Sequence, residues 1–301
     1  MSTKNMGNMC DTDSTSYSLD SQQEPLATQK AGPVVREAVR QVYSAVAVNG
    51  GSCCGAGSSC CRPTETSSIS ASLGYDPQDL AAVPEGADLG LGCGNPQAIA
   101  ELKPGETVLD LGSGAGLDCF LAARTVGPEG KVIGVDMTPE MLSRARKNAA
   151  KVRAANVEFR LGEIEHLPVA DNSIDVIISN CVINLSPDKP QVFREAYRVL
   201  KPGGRLAITD IVALAPLPCE WKQDLSLLSG CISGASTPQE LTGFLTAAGF
   251  QDIQISVNEK SREFIKDWQP GMSLEKYVAS ATIKATKPPS ACNLPKECCH
   301  S

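Results

Sequence analysis

The sequence has only two histidines, His166 and His300, no surplus of positive charge, and no apolar run approaching the roughly 20 residues of a membrane span. Each shortage removes a class of protein. A formal net charge of −7 and an isoelectric point near 5.0 leave no basic footprint for a phosphate backbone, so nucleic acid is not an expected partner. With no hydrophobic span, and a polar start lacking a charged-then-apolar leader, no membrane contact is expected and a cytoplasmic location is. What the chain has instead is cysteine, 13 in 301 residues. In a reducing compartment such thiols more often bind metals or react than form structural disulfides. A chain of this length with 42% hydrophobic residues can bury a core without covalent staples.

Residues 1–31 are rich in Ser, Thr, Gln, Asp and Asn and cannot bury enough surface to offset ordering entropy, so disorder is expected there. From Pro33, the residues Val34, Val35, Ala38, Val39, Val42 and Val46 recur at helical spacing. They predict a helix of about four turns, with Pro33 in its first turn and Asn49-Gly50-Gly51 at its end. A Gly/Ser-rich loop with two vicinal pairs, Cys53-Cys54 and Cys60-Cys61, follows within an N-terminal region spanning 32–100. After Glu101, short β-branched runs alternate with amphipathic stretches, the signature of parallel strands joined by crossover helices. The expected fold is α/β: a doubly wound, mostly parallel, seven-stranded Rossmann-like sheet. Strands are placed at 107–111, 131–136, 157–161, 174–180, 205–210, 251–257 and 277–284, with helices near 117–126, 139–153, 189–200 and 238–248. Thr138-Pro139 and Thr237-Pro238 each set a hydroxyl N-cap before an N1 proline, Glu240 completes a capping box, and Gly249 is a C′ glycine. Residues 101–258 form the nucleoside-binding unit and 259–287 complete the sheet. The tail at 288–301, Pro-rich and ending in Cys298-Cys299-His300, is expected to be mobile.

The segment Val108-Leu109-Asp110-Leu111-Gly112-Ser113-Gly114-Ala115-Gly116 places glycines where a strand turns into a helix and a ligand approaches the backbone. Such a loop alone is weak. A second strand ending in Asp136 strengthens it, because that carboxylate can hold both ribose hydroxyls. The glycines fall at 112, 114 and 116, Gly-x-Gly-x-Gly rather than the Gly-x-Gly-x-x-Gly of dinucleotide sites, with an aspartate two residues before the first. This resembles motif I of class I methyltransferases, which take S-adenosylmethionine. Leu200-Lys201-Pro202-Gly203-Gly204-Arg205 resembles that family's turn before the fifth strand. Gly162-Glu163-Ile164-Glu165 and Asp175 fall where it places its adenine-side loop and fourth strand. The donor-binding residues expected are Asp110, Gly112, Ser113, Gly114, Gly116, Asp136, Met137, Gly162, Glu163, Ile164 and Asn180.

Chemistry in an open parallel sheet gathers beyond the carboxyl ends of its strands, where Cys181 follows the fourth strand. A lone cysteine there is more often a buried filler. Other segments shift the balance. Ser179-Asn180-Cys181-Val182-Ile183-Asn184-Leu185, Leu89-Gly90-Leu91-Gly92-Cys93-Gly94-Asn95-Pro96, Ser229-Gly230-Cys231-Ile232-Ser233-Gly234-Ala235 and Gly134-Val135-Asp136-Met137-Thr138-Pro139-Glu140-Met141-Leu142 closely resemble the arsenite methyltransferase family, over roughly residues 34–255. The resemblance implies transfer of methyl groups from S-adenosylmethionine to trivalent arsenic in successive rounds, an arsenic detoxification. Arsenite or its thiol conjugates would be the substrate, and thioredoxin or glutathione the reductant. Soft thiolates suit a thiophilic acceptor, and ligands from three separate loops fix its lone pair toward the methyl. Cys93, Cys181 and Cys231 are those three ligands.

In that family a further N-terminal cysteine joins a disulfide relay or passes the acceptor inward. Cys60 and Cys61 are favoured for that role, being nearer Cys93 in sequence than Cys53 and Cys54. A zinc site is disfavoured, because adjacent pairs separated by five residues do not match Cys-x₂₋₄-Cys spacing. Cys292, Cys298 and Cys299 belong to a solvated tail that could capture arsenic, Cys10 and Cys219 are incidental, and Cys119 is core. Asp175 and Glu163 are the adenine-side acids, His166 is solvated, and Trp221 and Trp268 either cover the acceptor or pack. Two rivals remain: a methyltransferase of a quinone or sterol, with a large apolar pocket and dispensable cysteines, and a thiol-rich metalloid-binding module.

Overall fold

A computed structural model describes residues 26–49, 66–269 and 271–290. Of the stretch 1–31 expected to be disordered, residues 1–25 lie outside the described residues, as do the loop carrying Cys53, Cys54, Cys60 and Cys61 and the cysteines of the tail, whereas residues 26–31 are helical.

Seven strands form one sheet: β1 Thr107–Leu111, β2 Lys131–Asp136, β3 Val157–Leu161, β4 Ile174–Asn180, β5 Leu200–Ala213, β6 Gln251–Asn258 and β7 Val278–Thr286. Their order is β3-β2-β1-β4-β5-β7-β6, parallel except for β7, which runs antiparallel between β5 and β6. The helices are α1 Leu26–Asn49, α2 Thr66–Ser72, α3 Pro77–Ala82, α4 Gln97–Ala100, α5 Leu117–Val126, α6 Pro139–Val152, α7 Lys189–Val199, α8 Cys219–Gln223, α9 Leu225–Ser229, α10 Pro238–Ala248 and α11 Arg262–Ile265.

Both faces of the central strands are buried, which is why they read as nearly unbroken apolar runs. Successive side chains point to opposite faces. Leu109, Leu111 and Ile177 therefore join Val192 and Phe193 of α7 and Leu241 and Leu245 of α10 in one core. Val108, Val176 and Ile178 join Cys119 and Ala122 of α5 and Leu142 of α6 in the other. Asp110 shares the α5 face with Val108, so a carboxylate stands where alternation would set an apolar residue.

The structure departs from the sequence reading most at three points, beside shifts of one to three residues at other element ends. The first helix starts at Leu26, so Pro33 lies inside it rather than in its first turn. The fifth strand begins at Leu200, because Ile174 pairs with Leu200 and the Gly203 and Gly204 backbone exchanges hydrogen bonds with Lys287. Thr138 is the N-cap of α6 in extended conformation, but its side chain makes no capping bond, and its N–H donates to Asp136 Oδ1 at 2.8 Å. The capping box of Thr237 and Glu240 and the left-handed Gly249 close α10 as expected.

Candidate active site

Beyond the carboxyl ends of β1, β2 and β4 lies a cavity of about 380 Å³ that reaches from the glycine loop to Cys181 and Cys231; Cys93 is buried just behind its wall. The loop leaves β1 on two backbone bonds, Gly112 N and Ser113 N to the Val135 carbonyl at 2.8 and 3.0 Å. Gly112 has φ +71°, and a Cβ there would collide with Val182. The loop is then pinned to the end of β2, where Asp136 accepts from Gly114 N at 2.9 Å and Thr138 N at 2.8 Å. Gly114, at φ +51°, has nothing within 4 Å of where a Cβ would stand, so its backbone is bare toward the cavity. The hydroxyl of Ser113 is buried, lines the cavity and has no hydrogen-bond partner.

Asp110, Asp118 and Asp136 line the same cavity and are all raised above the ordinary carboxylate range, chiefly by burial. Asp118 reaches about 6. Three carboxylates around one concave space, two of them buried, make a field for a ligand of net positive charge. Together with the bare glycine backbone and the orphaned Ser113 hydroxyl, they fit the sulfonium and ammonium of S-adenosylmethionine.

Of the expected donor-site residues, Asp110, Gly112, Ser113, Gly114, Asp136, Met137, Gly162, Ile164 and Asn180 line this cavity. Gly116 does not; it starts α5, and a Cβ there would strike Phe120 and Phe159. Glu163 turns away to pair with Arg36 Nε at 3.1 Å and Arg40 at 3.7 Å on α1, leaving Glu165 on the wall. Asp175 is the second residue of β4 and sits at the far end of the sheet, accepting from Thr107 N at 2.9 Å and Lys201 Nζ at 2.8 Å. His166 is exposed, Cys119 is core, and Trp268 lines the cavity while Trp221 packs on Tyr277 with centroids 4.9 Å apart.

At the acceptor end, Cys93, Cys181 and Cys231 are not disulfide-bonded. The Cys181 sulfur lies within 4.8 Å of that of Cys93, and the Cys231 thiol donates to the Cys181 carbonyl at 2.9 Å, so Cys181 neighbours both. Burial is the main cause that pushes Cys93 and Cys181 up from the ordinary thiol range. Cys219, read as incidental, is disulfide-bonded.

Two asparagines flanking Cys181 hold the other two loops. Asn180 accepts from Cys93 N at 3.0 Å and donates to the Gly94 carbonyl at 2.8 Å. Asn184, fully buried, donates to Asp210 Oδ1 at 2.9 Å, the Ile211 carbonyl at 2.6 Å and the Cys231 carbonyl at 3.3 Å. Asp210 also accepts from Ile183 N and Ile211 N, and its carboxylate lies with the sulfurs of Cys93 and Cys181 inside a 4.8 Å cluster. Sequence reasoning missed Asp118 and Asp210, gave Glu165 and Asn184 no role beyond the segments that contain them, and missed Tyr75, whose hydroxyl donates to Asp118 at 2.9 Å.

A model described as a methyltransferase domain matches residues 102–249. Fold, cavity and match together define a methyltransferase of class I that uses S-adenosylmethionine. An arsenite methyltransferase of Halobacterium salinarum is 53% identical over 277 residues, covering 90% of this chain and 71% of that one. Another from Aquipseudomonas alcaligenes is 47% identical over 54% of this chain, which spans 49% of that relative's length. The crystal structure of an arsenic(III) S-adenosylmethionine methyltransferase from Chlamydomonas reinhardtii superposes with a TM-score of 0.54 at 33% identity, covering 73% of each chain. The chain belongs to the arsenite methyltransferase family.

Proposed function

We propose that this enzyme methylates trivalent arsenic held by Cys93, Cys181 and Cys231, and that arsenite or its thiol conjugates is the substrate. The observation that carries the reading is Cys181, which lines the cavity shared with the glycine loop and neighbours both Cys93 and Cys231. The donor supplies an electrophilic methyl on a sulfonium. The protein orients the two reactants and excludes water, since a lone pair on arsenic can attack in line without a strong general base.

Thiols that burial keeps protonated suit an acceptor that arrives with hydroxide ligands. Each sulfur that bonds arsenic releases its proton to a departing hydroxide as water, so no net charge enters the core. Attack by the lone pair raises arsenic by two oxidation levels, and each further round therefore needs two electrons from thiols. Glutathione or thioredoxin supplies them, with Cys60 or Cys61 in the relay, in the reducing setting of the cytoplasm. Residues 101–258 are the donor-binding unit on this reading.

The test is purified full-length protein given arsenite, S-adenosylmethionine and glutathione or thioredoxin, with methylated arsenicals quantified. Cys181→Ser, Cys93→Ser and Cys231→Ser should each lose most turnover while binding the donor normally by calorimetry. Normal turnover in Cys181→Ser would overturn the thiolate mechanism.

A further inference from the structure

A continuous set of hydrogen bonds joins the donor end of the cavity to the backbone of Cys93, and its middle member is Tyr75, between α2 and α3. Tyr75 is 4% exposed, and its hydroxyl donates to both oxygens of Asp118, at 2.9 and 3.0 Å. The same hydroxyl accepts from Asn180 Nδ2 at 3.0 Å. The other end of that amide, Asn180 Oδ1, accepts from Cys93 N at 3.0 Å and from Thr209 Oγ1 at 3.1 Å. The Cys93 loop is also tied back to the donor end directly. Asn95 Nδ2 donates to the Gly74 carbonyl at 2.9 Å, and Gln97 Nε2 donates to the Asp118 carbonyl at 3.0 Å.

We propose that Tyr75 is a positioning residue that couples donor occupancy to the placement of Cys93. Asp118 lines the donor cavity, so the ammonium of a ligand bound there fixes its carboxylate in place and holds the charge-assisted bond from Tyr75 in one geometry. A phenol locked into that donation presents its lone pairs in one direction, and bonds in a buried chain polarise one another. Asn180 is then held in the one orientation that receives Cys93 N, and the loop bearing the thiol stiffens. Binding of the metalloid and of the donor thereby become mutually favourable. By linkage, the factor by which the donor tightens arsenic must equal the factor by which arsenic tightens the donor.

This inference rests on Cys93 being an arsenic ligand. The experiment uses the full chain, arsenite as one probe and S-adenosylhomocysteine as the other, and measures each affinity with and without the other ligand. For wild type we expect about a tenfold gain in both directions. Tyr75→Phe keeps the ring and removes only the hydroxyl. It should bind each ligand alone within about twofold of wild type, yet lose the mutual gain. A purely structural role for Tyr75 would weaken both affinities and leave their ratio intact, which overturns the proposal, as does a wild-type ratio of one.

Hydrogen exchange provides a second readout that needs no variant. The amide of Cys93 should gain protection in wild type when S-adenosylhomocysteine binds, and unchanged exchange counts against the relay. Wild type that fails to bind arsenite, or Cys93→Ser that binds it equally well, would instead overturn the arsenic reading beneath it.

Discussion

The thiol of Cys231 donates a 2.9 Å hydrogen bond to the backbone carbonyl of Cys181. Both residues are left-handed, with φ +62° and +58°, although neither is glycine. A side chain pays for that conformation in steric strain of about 1–2 kcal/mol, and such strain persists where surrounding structure over-determines it, most often at functional sites. At Cys181 the over-determination is visible: its N–H is fixed to the Thr209 carbonyl at 2.8 Å, and Asn180 and Asn184 are anchored on either side.

Strain of this kind separates two substitutions that both remove the sulfur. Cys181→Gly should unfold at a higher urea concentration than Cys181→Ala, by about 1 kcal/mol, while both lose methyl transfer. Equal unfolding midpoints would show that the backbone there is relaxed.

The seat of the Cys231 loop depends on a residue with no side chain. A Cβ on Gly234 would run into the carbonyl of Asn184, which is backbone and cannot swing aside. Gly234→Ala should destabilise the fold by about 1–3 kcal/mol and reduce arsenite turnover more than donor affinity. Donor calorimetry beside a methylation assay reads the difference.

Asp118 gives a dependence on pH in two opposite senses. Its folded value is about 6, raised mainly by burial, against about 3.9 for a free aspartate. The folded state thus binds a proton that the unfolded state has released. The stability it contributes is fully present below about pH 4 and is lost as pH rises through about 6. Asp118→Asn should therefore raise the melting temperature by a few degrees at about pH 8 and by nothing at about pH 4. Donor affinity should move the other way: in wild type it weakens as pH falls through about 6, and in the variant it is weak throughout. Scanning calorimetry and titration with S-adenosylmethionine across that range check both senses.

Arg36 fastens α1 beside the donor cavity, with Glu163 at 3.1 Å and Glu165 at 3.5 Å, and Glu165 in turn accepts from Ser186 Oγ at 2.7 Å. Removing that clamp should loosen the helix without touching the reacting atoms. Arg36→Ala should raise KM for S-adenosylmethionine about fivefold with little change in kcat. An unchanged KM would show that α1 does not control entry.

Much of the donor half was legible because local chemistry dictates it. Glycines at 112 and 114, an acid at the end of β2, and strands bounded by glycine and polar residues are short-range signals, and the bounds of the first four strands match their expected positions. Asp175 was misplaced although its position held the clue: it is the second residue of a seven-residue strand, and the ligand end is the other one. Gly116 and Glu163 belong to the right segments, but facing is decided by neighbours distant in sequence, Phe159 for the glycine and α1 for the glutamate. Tyr75 lies between two short helices with no periodicity to mark it, and its partner Asn180 is 105 residues away. Only the closed fold brings them together.

The place of Cys181 beside both other cysteines has a consequence in valence. Trivalent arsenic makes three bonds, so each methyl it keeps displaces one sulfur: three thiolates at the start, two after one round, one after two. A cysteine that neighbours both of the others belongs to either surviving pair. On the proposed reading, the metalloid can release Cys93 or Cys231 and still be anchored, and the number of methyl groups it leaves with is set by when Cys181 lets go.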